Sequence, residues 1–138
     1  MIDLSIVIVT YNSSAHIGAC LRSLPAALEG LAAEVIVVDN ASSDGTAALV
    51  ARDFPDVRLV ERAVNGGFAA GVNAGLAAAG GRYVAWINPD SDVVDGRFAD
   101  VVAWLDAHPG VGIAGLKLVD PAGRAAPSDR GVPGLDSA

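Results

Sequence analysis

Cysteine is almost missing from this chain. Its single residue, Cys20, excludes an intramolecular disulfide and any multi-cysteine zinc site, and its place in a helical pattern makes it an expected core residue. Aromatic residues are scarce, at 5%. The core must therefore come from Val, Ile, Leu and Ala, which suits helices packed on a parallel sheet. Cations are outnumbered, with 9 Lys and Arg against 16 Asp and Glu, a formal net charge of −7 and no basic stripe. Nucleic acid is accordingly not an expected partner. An acidic chain still binds phosphates through backbone N–H groups or a bridging metal. No apolar stretch approaches the roughly 20 residues of a membrane span. The opening MIDLSIVIV carries Asp3 and no basic flank, unlike a signal peptide. Cytoplasmic residence fits these features, and peripheral attachment at the inner face of a membrane stays open.

What is present is globular in type: 138 residues, 52% hydrophobic and 18% charged, enough for one domain with a sizeable core. LSIVIV (4–9) and EVIVV (34–38) read as strands buried on both faces. VRLVE (57–61) reads as a weaker, edge-like strand, RYVAWI (82–87) as a fourth strand and VGIAGLKLV (111–119) as a fifth. Between them lie helical patterns. The first carries Ile17, Leu21 and Leu24, with Ser13 or Ser14 as its cap and Pro25 marking its end. The second runs to about Asp53, the third from about Phe68 to Ala79, and the fourth from about Phe98 to Ala107. Trp86 and Trp104 sit in apolar patterns and are expected in the core. This alternation predicts an α/β fold with a mostly parallel sheet and helices on both faces. The domain is expected over residues 1–120, with 121–138 a Pro- and Gly-containing loop or tail.

Ligands of open parallel sheets bind beyond the carboxyl ends of the strands. Each of the first four strands here runs into a polar segment: TYN, DNASSDG, ERAVNGGF and NPDSD. Together they suggest a polar ligand laid across the sheet edge. Asp39 could accept from a ribose hydroxyl or a base N–H, or simply close an Asx turn. Asp44-Gly45 reads as turn or cap chemistry. NGGFAAGVNAG places glycines before a helix start, where N–H groups and the helix dipole suit phosphate, or where a helix packs close to the sheet. The first strand has no glycine-rich turn, which argues against a dinucleotide fingerprint. Asn73 is a poor helix former inside that helix, facing ligand or solvent. Asp90 and Asp92 are two hard oxygen ligands suited to Mg²⁺ or Mn²⁺, or an acidic turn before a helix. His16 and His108 lack ligand spacing and read as structural.

With SIVIVTYN, EVIVVDNASSDGT, NGGFAAGVNAGL and WINPDSDVV in this order, the chain resembles family 2 glycosyltransferases of the GT-A fold, a Rossmann-like α/β/α sandwich, and within them the bacterial rhamnosyltransferase-like branch. The resemblance runs from about Leu4 to Pro127. It implies a nucleotide-diphospho-sugar donor linked to TDP, UDP or GDP, and transfer with inversion to an acceptor hydroxyl on a glycan or lipid-linked acceptor, in cell-surface polysaccharide synthesis. On the family's motifs, Thr10, Tyr11 and Asn12 match the segment touching the nucleoside, and Asp39 the acid that reads the base. Asn65, Gly66, Gly67 and Asn73 match the motif beside ribose and diphosphate. Asn88-Pro89-Asp90 stands where the family has Asp-x-Asp, so Asp90 matches the metal ligand, Asp92 is a helper two positions on, and Asn88 could contact sugar or diphosphate. The family's catalytic base belongs to a later segment beyond the fifth strand. The resemblance therefore implies a fold truncated at its C-terminus and names no base here. A separate C-terminal chain or a homodimer could supply the rest. The alternatives are a nucleotide-sugar-binding module and a non-catalytic fragment.

Overall fold

The computed structural model describes residues 1–126. Of the expected tail, residues 127–138 lie outside the described residues, as does Pro127 at the end of the family resemblance. The chain divides into two compact units, Met1–Trp104 and a second from Leu105 onward.

The first unit holds a four-stranded parallel sheet. Its strands are β1 (Leu4–Thr10), β2 (Ala33–Asp39), β3 (Arg58–Glu61) and β4 (Tyr83–Ile87), in the spatial order β3-β2-β1-β4. Helices α1 (Ile17–Ala27), α2 (Thr46–Asp53) and α3 (Phe68–Ala78) connect them, and α4 (Phe98–Ala107) starts in this unit and runs into the next. The expected bounds of strands and helices hold to within a residue or two. β1 is central and buried throughout, as an uninterrupted β-branched run requires.

Side-chain alternation sorts the core. Leu4, Ile6, Ile8 and Val37 pack with Ile17, Cys20, Leu21 and Leu24 of α1, Val50 of α2 and Phe98 of α4. Val7, Val9, Ile36 and Val38 face the other way, against Val72, Ala74 and Ala78 of α3. Fully burying one such aliphatic side chain stabilises the fold by about 1.5–3 kcal/mol. Gly71 and Gly75 let α3 lie close on the sheet. A Cβ on Gly71 would fall 2.5 Å from a methyl of Val9, and one on Gly75 would collide with Val7. At the amino end of the strands, Glu34 Oε1 accepts from Ser5 Oγ and Gly80 N, both at 2.7 Å. These bonds hold the Glu34 carboxyl below its ordinary pKa, the Ser5 hydroxyl first and the Gly80 N–H second. The two sheet edges differ: β3 exposes Arg58 and Glu61, whereas β4 is the uncharged YVAWI.

Several expectations are corrected. Val111–Val119 does not form a fifth strand of the sheet. Only Leu118–Val119 is a strand, β5, paired antiparallel with β6 (Ala125–Ala126) inside the second unit. Gly112 and Gly115 weaken strand formation, and Ile113 is exposed. Pro25 lies inside α1 rather than at its end, because the Leu28 N–H still reaches the Leu24 carbonyl at 2.9 Å and carries the last turn past it. Neither Ser13 nor Ser14 caps α1 with its side chain. His16 is the N-cap, and the Ser13 and Ser14 N–H groups donate instead to Thr46 Oγ1 at the start of α2 and to Asp44 Oδ2 just before it.

Neither tryptophan is buried. Trp86 is 53% exposed, because it lies towards the carboxyl end of edge strand β4, while α3 packs chiefly on β1 and β2. Trp104 is 47% exposed. It lies two positions beyond buried Val102, about 200° around the helix and so on the far side. Cys20 is in the core as expected. No helix among the described residues is long and apolar enough to cross a membrane.

Candidate functional site

The loops after β1 and β2 are stitched together by side chains. Asp39, 3% exposed, ends β2 and accepts from Thr10 Oγ1 at 3.0 Å, Ser42 N at 2.9 Å and Ser42 Oγ at 2.5 Å. The Ser42 bonds make it an Asx turn. A carboxylate has about four acceptor positions, so three internal donors leave about one for a ligand. Asn12, with φ +51, takes the left-handed conformation that Asn tolerates. Its N–H donates to Ser42 Oγ, and its Oδ1 accepts from Ser43 N, both at 2.9 Å. Tyr11 beside it is exposed.

Asp44 does the turn chemistry expected of it. It accepts from Thr46 Oγ1 and Thr46 N and from Ser14 N. These donors, the Thr46 hydroxyl foremost and then the Ser14 amide, hold its carboxyl far below the usual carboxylate range.

After β3 the chain turns back across the end of β2. Arg62 N donates to Asp39 O, and Arg62 Nη1 donates to Asn40 Oδ1 at 2.7 Å. Asn40 Nδ2 in turn donates to Gly67 O at 3.0 Å. Asn65 closes its own turn by accepting from Gly67 N. Gly67 has φ +83, which strains any side-chain-bearing residue, and is the N-cap of α3. Asn65, Gly66, Gly67 and Asn73 are all exposed.

After β4, Asn88-Pro89-Asp90-Ser91 forms a turn closed by Ser91 N on Asn88 O, and α1 anchors it. Cys20 Sγ donates to Asn88 O at 3.7 Å, and Ser23 Oγ accepts from Val93 N at 2.9 Å. Burial, and then the charges of Asp92 and Asp90, push the Cys20 thiol up to about 11. Asp90 and Asp92 are exposed, and among the described residues neither carboxylate accepts a hydrogen bond. Among the described residues no three His, Cys, Asp or Glu groups gather as a metal cage. Two uncommitted hard-oxygen carboxylates fit Mg²⁺ or Mn²⁺ that keeps waters and shares phosphate oxygens of a ligand, and do not fit a cation needing a full protein cage.

The parallel sheet thus places Thr10, Tyr11, Asn12, Asp39, Asn65, Gly66, Gly67, Asn88, Asp90 and Asp92 at or just beyond the carboxyl ends of its four strands, with Asn73 further along α3. Hydrogen bonds join the first three segments. Among the described residues, none joins Asn88–Asp92 to them. Sequence reasoning missed Asn40, Arg62, Ser42 and Ser23, which carry these bonds. Their one signal was position, since Asn40 and Arg62 each follow the last residue of a strand.

Comparisons with known proteins place this architecture. Residues 5–124 match the family model described as glycosyl transferase family 2. The succinoglycan biosynthesis protein ExoO of Rhizobium meliloti is 39% identical over 108 residues, 76% of this chain and 30% of that protein. An N-acetylglucosaminyl-diphospho-decaprenol L-rhamnosyltransferase of Mycobacterium tuberculosis is 32% identical over 143 residues, 96% of this chain and 46% of that protein. Among solved structures, the mannosyltransferase PcManGT of Pyrobaculum calidifontis, in complex with GDP-Man and Mn²⁺, matches with TM-score 0.70 and 31% identity over 81% of this chain and 36% of that one. The chain therefore spans less than half the length of these relatives, and its sheet is that of a GT-A glycosyltransferase. By its motifs, its parallel sheet and the match over residues 5–124, this chain belongs to glycosyl transferase family 2.

Proposed function

We propose that this chain is the donor-binding part of an inverting glycosyltransferase. It would hold a nucleotide-diphospho-sugar while the sugar passes to an acceptor hydroxyl in cell-surface polysaccharide synthesis. The observation that carries this reading is the convergence of four polar segments at the carboxyl ends of four neighbouring parallel strands. The mannosyltransferase bound to GDP-Man and Mn²⁺, with 31% identity, supports it.

In this reading Thr10, Tyr11 and Asn12 border the nucleoside, with exposed Tyr11 offering a ring face for stacking. Asp39 turns its remaining acceptor capacity to the base, and the rigid Thr10–Ser42 cradle fixes its direction. Asn65, Gly66 and Gly67 form the turn that leads into α3, whose first backbone N–H groups would face the diphosphate while the Gly67 N–H stays bound to Asn65, and Asn73 lies along the same helix. Asp90, with Asp92 as helper, would hold Mg²⁺ or Mn²⁺, and Asn88 would face the sugar or diphosphate. A bound metal supplies charge neutralisation at the leaving diphosphate. The acceptor is a glycan or a lipid-linked glycan, and the base that takes its proton is not among the residues named here.

Calorimetric titration of TDP, UDP and GDP, each with and without Mn²⁺, tests the reading. One nucleotide should bind in a metal-dependent way. Asp90→Ala should weaken that binding by about tenfold or more, the loss of one charged ligand, while leaving the melting temperature unchanged. A folded protein that binds none of the three would overturn the donor-site reading.

A further inference from the structure

We infer that Asn40, anchored by Arg62, is a positioning residue that holds the Asn65–Gly67 turn against the donor's diphosphate. The inference rests on the donor-site reading above and goes beyond it. Asn40 lies in DNASSDG and Arg62 in ERAVNGGF, but the sequence singles out neither residue itself for contact with the ligand.

Asn40 is 2% exposed and follows the last residue of β2. Its main-chain N–H donates to Thr10 O at 2.8 Å, which ties it to β1. Its side chain then divides its two functions. Oδ1 accepts from Arg62 Nη1 at 2.7 Å, just past β3, and Nδ2 donates to Gly67 O at 3.0 Å, at the start of α3. One buried residue thus joins the ends of three strands to the N-cap of a helix, the link to β1 through its main chain and the others through its side chain. The Gly67 carbonyl it grips also accepts the Gly71 N–H at 3.1 Å, so the bond is made at the first turn of α3 itself. Arg62 lies directly against the turn: a Cβ on Gly66 would fall 3.0 Å from both of its terminal nitrogens.

The chemistry of the relay needs an amide. Arg62 offers only donors and Gly67 O only accepts, so the residue between them must present one acceptor and one donor at once. A carboxylate would satisfy Arg62 but set an oxygen against the Gly67 carbonyl. A hydroxyl is too short to reach both. The first N–H groups of α3 have no intrahelical partner, and their direction follows the position of Gly67. The turn's own Asn65–Gly67 bond shapes it but does not fix where it sits on the sheet. Asn40 does that.

The relay acts on the diphosphate end of the donor and leaves the nucleoside end, built on Thr10 and Asp39, alone. That split is the test. Asn40→Ser and Asn40→Asp are titrated, by NMR, with the nucleoside diphosphate that the wild-type chain binds and with the corresponding free nucleoside. Thermal melting checks that each variant is folded. Both variants should bind the diphosphate about tenfold more weakly, the scale of one well-placed hydrogen bond lost, with nucleoside affinity unchanged. A deficit confined to Asn40→Asp would be the added charge repelling phosphate, and would overturn the relay. So would an equal loss for both ligands, which a purely structural residue would give, or no loss for either. If the wild-type chain itself bound no nucleoside diphosphate, the donor-site reading would fall and the relay's role with it. Wild-type binding with unaffected variants would sink the relay alone.

Discussion

The Thr10 hydroxyl donates to Asp39 Oδ1 across 3.0 Å, joining the last residue of the central strand to the last residue of its neighbour. Both side chains are buried, so the bond is shielded from water at the carboxyl edge of the sheet. Thr10→Val keeps the shape and deletes the donor. It should destabilise the chain by roughly 1.5–3 kcal/mol, the range for a hydrogen bond to a charged group. Urea unfolding checks this, with the midpoint falling and the slope unchanged.

The contact of α3 with β1 leaves no room for a methyl group. Gly75→Ala would improve helix propensity by up to about 1 kcal/mol, yet a Cβ there runs into Val7. Overpacking of this kind costs typically 1–3 kcal/mol, so the clash outweighs the propensity gain and the melting temperature should fall. Asn73→Ala, on the exposed part of the same helix, should leave stability within about 0.5 kcal/mol or raise it. Equal destabilisation by both would refute the close-packing account.

Acid should loosen the amino end of the sheet. The Glu34 carboxyl titrates below its unfolded value in the folded chain, because Ser5 Oγ and Gly80 N donate to the ionised form. Its contribution to stability is therefore present above the unfolded pKa, about 4.3 for Glu, and is lost as pH falls through the lowered folded pKa. Ser5→Ala should raise the Glu34 pKa and flatten this part of the stability–pH curve. NMR titration of the Glu34 side chain reads the first effect directly.

Cys20 should be silent to thiol reagents in the native chain. It is fully buried, and its thiol is raised to about 11, so almost none is thiolate near neutrality. A chromogenic disulfide reagent at pH 7.5 should report no fast-reacting thiol until denaturant is added, then one. The linked stability effect lies in the alkaline range. The unfolded thiol ionises before the folded one, so stability declines between about 9 and 11.

Much of the fold was legible because its signals are local. LSIVIV and EVIVV could hardly be anything but buried strands, and the Ala-rich run after Asn65-Gly66-Gly67 announced a helix at its start. VGIAGLKLV misled because an apolar run looks like a strand whether or not a partner is there to pair with it. Trp86 misled for a related reason. Its own strand is only partly buried, and its exposure depends on how far α3 reaches across the sheet. Pro25 looks like a terminus in the sequence, although one lost donor in a last turn does not end a helix. At the site, the residue types at the strand ends were visible in the sequence, because polar residues after buried strands stand out. The bonds that hold them were not. Asn40 and Arg62 acquire their side-chain partners only when separate loops meet, as Ser42 does its bond from Asn12, and no periodicity marks such meetings.

The position of β1 has a consequence for how the chain acquires its shape. Of the four strands, β1 precedes the others in the chain yet lies inside the sheet: Leu4 pairs with Ala33 on one side and with Tyr83 on the other. The earlier partner arrives after a short helix, but the later one arrives only after one more strand and two more helices. Half of the hydrogen-bonding capacity of β1 must therefore wait, during synthesis, until residue 87 has left the ribosome. Pairings so distant in sequence are closed late and slowly. The nascent chain carries LSIVIV with one edge bare until β4 is made, so the interval before β4 docks is one of vulnerability to misassociation.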